Sequence, residues 1–262
     1  MPHRRPWVAV VLLTLALAAG CGRSGASTPK ATEPPRPPLV YAAVGASETV
    51  GRGADKPQTE AWPRVLADRL RVGGRQVTFT GLGFDGATAP EALASSVPRA
   101  EKLQPPPNLV TVWLNANDII ADFAIPTRTN NYEQQLGELV HRLRRGGAAT
   151  VLVANTPALD QLPAYADCLS PTGTRCLLPA AVRPLVPQPP GVIAKVDSYN
   201  QAIARVTQRE GAVLVDLHTA SLKARADGTV ASLVSADGFH PSTAGHAAVA
   251  AEFAEAAKRA NV

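Results

Sequence analysis

At 262 residues, 45% of them hydrophobic and 18% charged, the chain is long enough to bury one substantial α/β core and too apolar to be generally disordered. Its formal net charge of +5 falls to +3 once Arg4 and Arg5, which lie in a leader-like composition of basic and apolar residues, are set aside. The basic cluster Arg142 to Arg145 reads as a solvated helix end, so no nucleic acid or other polyanion is expected as a partner.

The chain opens with a basic stretch, His3-Arg4-Arg5, followed by Trp7 to Ala19, apolar or small throughout except for Thr14. That run falls short of the roughly 20 residues a transmembrane helix needs. It reads instead as a secretory signal over residues 1–20. Its end, Leu17-Ala18-Ala19-Gly20-Cys21, resembles the bacterial lipoprotein signal, with Ala18 where that box favours leucine. The resemblance implies that Cys21 is lipidated and becomes the first mature residue, anchoring the exported chain to the extracytoplasmic face of a membrane. An ordinary cleaved signal with an incidental cysteine is the alternative. Residues 21–38 are rich in small residues and end in Glu33-Pro-Pro-Arg-Pro-Pro38, which cannot build a core and predicts a semi-stiff tether. The folded domain is expected over residues 39–262.

Short apolar runs without strong alternation recur at Val40–Gly45, Val77–Gly81, Leu109–Leu114, Thr150–Ala154 and Val213–Leu217. Strands covered on both faces have this character. Helical patterns lie between them. Trp62, Val65, Leu66 and Leu70 share one face, as do Leu136, Leu139, Val140 and Leu143, and then Val192, Val196, Tyr199, Ile203 and Val206. Gly146-Gly147 and Gly211 stand where helix C-caps are expected. A last helix runs from Ser242 to about Lys258, with Val249 and Phe253 inward. Alternation of strand and helix implies a parallel sheet between two helical layers, an α/β/α sandwich. The proline-rich stretch Thr156 to Gly191 breaks the rhythm and is too long for a plain connector, so it is expected to be a functional loop or a cap over the site. It holds Cys168 and Cys176, whose closeness in an exported chain predicts a disulfide, with two free thiols as the alternative. Neither these cysteines nor any other cluster has metal-ligand spacing, and no cofactor is expected.

Polar loops follow four of the strands: Ser47 the first, Gly81-Leu-Gly83-Phe-Asp-Gly86-Ala-Thr88 the second, Asn115-Ala-Asn117-Asp118 the third, and Asp237-Gly-Phe-His240-Pro241 the last. Parallel sheets bind ligands at the carboxyl ends of their strands, so these loops converge. A serine hydroxyl needs a base, and His240 in a rigid turn can supply one, with Asp237 three residues earlier to hold its other nitrogen. Backbone N–H groups of Ser47 and Gly83 and the Asn117 amide can serve as an oxyanion hole. His246 is expected to face its helix surroundings, His218 to end a strand, and Glu48 and Asp118 to be structural.

These four blocks resemble those of the SGNH hydrolase (GDSL esterase/lipase) superfamily. Gly45-Ala-Ser47 matches the first block, Gly83 the glycine of the second, Asn115-Ala-Asn117-Asp118 the third, and Asp237-Gly-Phe-His240 the last. The resemblance implies a three-layer, flavodoxin-like fold with five parallel strands in the order 2-1-3-4-5. It also implies Ser47, Asp237 and His240 as catalytic residues and Ser47, Gly83 and Asn117 as oxyanion donors. Two positions depart from the family: Ala46 where it keeps aspartate, and Asn115 where it keeps glycine. The expected protein is a monomeric, lipid-anchored serine hydrolase of carboxylic esters acting through an acyl-enzyme on a small-molecule or lipid ester. An acyltransferase, a carbohydrate O-deacetylase and a non-catalytic binding protein on a degenerate hydrolase fold are the alternatives.

Overall fold

The computed structural model describes residues 36–125 and 131–262. The leader, Cys21 and most of the tether lie outside the described residues. Five strands, β1 (Leu39–Gly45), β2 (Val77–Gly81), β3 (Leu109–Trp113), β4 (Thr150–Ala154) and β5 (Val213–Val215), form one sheet in the order β2-β1-β3-β4-β5. Every pairing is parallel. The helices, in chain order, are α1 (Ser47–Val50), α2 (Pro57–Glu60), α3 (Trp62–Leu70), α4 (Ala89–Ala94), α5 (Ser96–Glu101) and α6 (Ala116–Ala124). They continue with α7 (Tyr132–Arg144), α8 (Pro163–Leu169), α9 (Pro189–Glu210), α10 (Leu217–Ala226), α11 (Val230–Leu233) and α12 (Thr243–Arg259).

The strands lack alternation because both faces of the sheet are covered. Ala42 and Val44 of β1, with Val110 and Val112 of β3, pack against α7 and α9. Their neighbours Tyr41, Ala43 and Leu109 pack on the other face against α3 and α12. The helical stripes read from the sequence are the stripes that are buried: Leu136, Leu139, Val140 and Leu143 on α7, and Val192, Val196, Tyr199, Ile203 and Val206 on α9. On the opposite side Trp62 stacks on Phe253, with ring centroids 4.3 Å apart and both residues fully buried. The sheet order puts β1 between β2 and β3, so the loops that leave these three strands are neighbours.

The end of the fifth strand differs from the sequence reading. The fifth strand stops at Val215 instead of Leu217. Asp216 takes the N-cap of α10, its carboxylate accepting from the Thr219 N–H at 3.0 Å, and this local bond outcompetes extension of the ladder. His218 therefore sits in the first turn of a helix, not at a strand end. The Thr156–Gly191 stretch contains α8 and two short 3-10 turns at Leu159–Gln161 and Arg183–Leu185. Its cysteines, Cys168 and Cys176, are bonded to each other. The Asp167 carboxylate beside them takes the Arg175 guanidinium and the Arg175 and Thr174 N–H groups.

Removing the buried ring of the aromatic stack leaves a cavity that the surrounding helices fill only in part. Phe253→Ala is expected to lower unfolding free energy by about 3–5 kcal/mol, read from equilibrium denaturation.

Candidate active site

Ser47 is the first residue of α1 and stands two residues beyond the end of β1, after the N-cap Ala46. Its hydroxyl lies 2.8 Å from His240 Nε2, although the two residues are 193 positions apart in the chain. His240 Nδ1 in turn lies 2.6 Å from Asp237 Oδ2. With Nδ1–H donating to the carboxylate, Nε2 carries a lone pair and accepts from the serine hydroxyl.

The loop that carries Asp237 and His240 is held by its own backbone. Ser235 N–H donates to His240 O at 2.8 Å, Gly238 N–H donates to Ser235 O at 2.9 Å, and Val234 pairs with Pro241 across an antiparallel bridge. Asp237 Oδ1 accepts from the Ser235 hydroxyl and from the Phe239 and His240 N–H groups, all at 2.8–2.9 Å. Burial pushes the Asp237 carboxyl upward, but the bond to His240 and these three donors together outweigh it and hold the group at about 2. It is therefore a carboxylate at any pH near neutrality.

Asn117 and Gly86 border the same cleft as Ser47 and His240. Asn117 stands in the first turn of α6 and donates one amide N–H to Ala87 O at 3.1 Å, leaving its second N–H for another acceptor. Gly86 occupies the third position of a turn closed by Ala87 N–H to Phe84 O, at φ +75°, in the left-handed region that favours glycine. Gly83, expected at the site from the sequence, is set back from it. A Cβ there would meet Thr49 and the Gly45 carbonyl at 2.9–3.0 Å, so Gly83 serves close packing of the second loop on the first. Of the Gly81-x-Gly83-x-x-Gly86 run, Gly86 is the glycine that borders the cleft. The turn signal Asp85-Gly86 marks where the chain reverses into the cleft.

The remaining polar residues are divided. Asp118 is buried and accepts from the Ala89 N–H at the start of α4, a structural use. His246 is fully buried, accepts from the Trp62 N–H and donates to Arg52 O, and burial lowers its pKa, so it is a neutral link between α12 and the segment after α1. Glu48, read from the sequence as structural, lies nearer the chemistry than expected. Its Oε1 accepts from the Ala46 N–H at 3.3 Å and its Oε2 is 3.5 Å from the Ser47 hydroxyl. Burial pushes its carboxyl up to about 7. Among the described residues no group of three or more His, Cys, Asp or Glu could hold a metal ion.

The cleft beside Ser47 has a volume of about 420 Å³ and apolar walls. Ile119, Ile120 and Phe123 come from α6, while Leu162, Tyr165 and Leu178 come from the Thr156–Gly191 stretch. The stretch is tied to the site loop as well as facing it, because Ala164 N–H donates to Gly238 O at 3.0 Å.

A hydroxyl, an imidazole and a carboxylate in one hydrogen-bonded line, at the carboxyl edge of a parallel sheet, define a serine hydrolase site. The profile of the GDSL-like lipase/acylhydrolase family matches residues 43–248, and the chain belongs to that family as a serine ester hydrolase. Solved structures share the fold at low identity. A GDSL-like lipase from Parabacteroides merdae superposes with a TM-score of 0.63 at 14% identity, covering 86% of this chain and 97% of that one. An acetylxylan esterase from Geobacillus stearothermophilus gives 0.58 at 17% identity, over 83% and 93%. A psychrotrophic esterase from a Pseudoalteromonas species, in a form inhibited by monoethylphosphonate, gives 0.56 at 15% identity, over 85% and 98%. No curated protein matches the chain significantly.

Asp237 is held below its unfolded value, so its ionised form stabilises the fold above about pH 4, and this contribution is lost as the pH falls through about 2. Asp237→Asn is accordingly expected to melt at a lower temperature than the parent at pH 7. The gap should narrow as the pH falls from about 4 towards 2, measured by thermal denaturation across pH.

Proposed function

We propose that the protein cleaves carboxylic esters through a Ser47–His240–Asp237 triad and an acyl-enzyme. The observation that carries this reading is the unbroken line of contacts from Ser47 through His240 to Asp237, at 2.8 and 2.6 Å. Ser47 Oγ attacks the ester carbonyl carbon while His240 Nε2 takes the hydroxyl proton. Asp237, ionised throughout, keeps the imidazole in the required tautomer and stabilises the imidazolium. The carbonyl oxygen becomes an oxyanion, for which we assign the Ser47 N–H, the free Asn117 amide N–H and the Gly86 N–H in place of Gly83. As the tetrahedral species collapses, His240 gives its proton to the leaving alcohol oxygen and the acyl-Ser47 ester remains. Water then gives a proton to His240 and attacks the acyl carbon, and as the bond to Ser47 Oγ breaks His240 returns the proton to it, releasing the carboxylic acid and free Ser47.

The walls of the cleft favour an apolar acyl group. Each methylene moved from water onto Ile119, Ile120 or Leu162 is worth about 0.8 kcal/mol, or threefold to fourfold in kcat/KM while the cleft has room. Export and lipid anchoring through Cys21 remain part of the proposal, and the Cys168–Cys176 bond supports an oxidising compartment.

The purified protein should be labelled at Ser47 by a fluorophosphonate, and Ser47→Ala should lose label and at least about 10⁴ of kcat/KM on nitrophenyl esters. Parent protein that stays unlabelled and turns over no ester would instead mean a binding protein on this fold. Along a nitrophenyl series from acetate to hexanoate, kcat/KM is expected to climb. A maximum at acetate, together with turnover of acetylated xylan, would favour a carbohydrate deacetylase.

A further inference from the structure

A second cavity, of about 280 Å³, lies on the other flank of His240. It shares Leu159, Leu162, Phe239 and His240 with the cleft beside Ser47, so the imidazole is part of the wall of both. Its walls are mainly apolar, from Leu217 and Ala224 of α10, Leu233 of α11 and Val249 of α12. Glu48, Trp113 and Asn115 also line it.

Glu48 and Asn115 make this cavity more than a packing gap. Asn115 is 3% exposed, and its Nδ2 donates to Ala154 O at 3.3 Å, which fixes the other end of the amide as the oxygen. That Oδ1 is buried and has no hydrogen-bond partner in the protein. Buried carbonyl oxygens are normally satisfied, and an exception in a site wall marks the place of a missing donor. The Glu48 carboxyl accepts from the Ala46 N–H at Oε1 and lies 3.5 Å from the Ser47 hydroxyl at Oε2, and each oxygen keeps a second lone pair for a further donor. Several other polar side chains on the wall are engaged, Gln161 with Ser221 O and Arg225, Ser221 with His218 O and Ala158 N, and Lys223 with Asp227, and the Glu252 carboxylate lines the space from α12. Asparagine and glutamate therefore put acceptor oxygens on the wall of a mainly apolar space that His240, the base that must protonate a leaving alcohol, also lines.

We propose that this second cavity is the subsite for the alcohol portion of the ester, and that Asn115 and Glu48 recognise a free hydroxyl carried on that portion. The substrate class is then a partial ester of a diol or polyol, with its acyl chain in the cleft lined by α6 and its hydroxylated part between α10 and α12. The subsite would equally receive such an alcohol as an acyl acceptor in place of water. In that case the acceptor gives its proton to His240, attacks the acyl carbon and leaves as a new ester, with Ser47 regained. The proposal rests on the reading of Ser47 and His240 as ester-cleaving residues.

Butyrate esters of ω-hydroxyalkyl alcohols, with two to six carbons in the spacer, should be compared with their ω-methoxy counterparts, which keep the shape and lose the donor. At the best spacer the parent enzyme is expected to prefer the hydroxyl ester by about tenfold in kcat/KM. Asn115→Ala should bring that ratio close to one. Ala224→Trp, which fills the cavity from α10 without touching Asn115, should lower the ratio too and covers the case in which Asn115→Ala fails to fold. Product analysis with added diol separates release to water from transfer to the alcohol. Binding of the free diol and of its methyl ether to Ser47→Ala, measured by titration calorimetry, reads the subsite without turnover. Tighter binding of the diol, lost in the Ser47→Ala/Asn115→Ala pair, supports the subsite even if no ester is cleaved and the catalytic reading falls. Ester cleavage and Ser47 labelling with no hydroxyl preference, and equal binding of diol and ether, would overturn the subsite and leave the catalytic reading standing.

Discussion

One carboxylate organises this site. Asp237 collects the Ser235 hydroxyl, the Phe239 and His240 N–H groups and the His240 imidazole, four donors from a segment of six residues. These bonds leave the loop between α11 and α12 little freedom. His240 is thus held before any contact with Ser47 is made, and Ser47 is presented from the far side by the turn out of β1. A site assembled from two pre-shaped loops needs little reorganisation during the reaction, and fixed dipoles act most strongly in such a setting. The same bonds keep Asp237 ionised, which is the state that an imidazolium beside it requires.

The sheet order does the remaining positioning. Because β1 lies between β2 and β3, Ser47 has the Gly86 turn on one side and Asn117 on the other. Gly83 lets the second loop settle onto Thr49 and the Gly45 carbonyl, and this close approach sets where Gly86 emerges. The Thr156–Gly191 stretch adds the outer wall, held by its disulfide, by the Asp167–Arg175 pair and by the bond from Ala164 to Gly238. Substrate shape is thereby coupled to the loop that carries the base.

Of the two departures from the family pattern, Ala46 is bonded to Glu48 and Asn115 lines the second cavity with Glu48. Ala46 brings no carboxylate of its own, and its N–H is bonded instead by Glu48 from two residues on. Asn115 places a buried oxygen without a partner at the end of the second cavity. Under the proposed function, positions that look like losses in the sequence put acceptor oxygens on the wall of the second cavity.

Much of this was legible in the chain alone. Burial on both faces of a strand leaves an unbroken apolar run, and burial of one helix face leaves a stripe, so the five strands and the faces of α3, α7 and α9 could be read from local pattern. Asp237 and His240 were legible together because three residues in a tight turn suffice to join them. Other features were not legible, because they depend on competition between groups distant in sequence. Asp216 takes Thr219 as its partner and ends β5 early, and the choice between Gly83 and Gly86 depends on how the second loop packs on Thr49. By itself the sequence determined the secondary elements, the parallel class of the sheet and the residue types available at its carboxyl edge, since these follow from periodicity and turn chemistry. Only the tertiary structure decided which glycine faces the cleft, that Glu48 lies under Ser47, and that a second cavity opens at His240, because each depends on where loops from separate strands come to rest against one another.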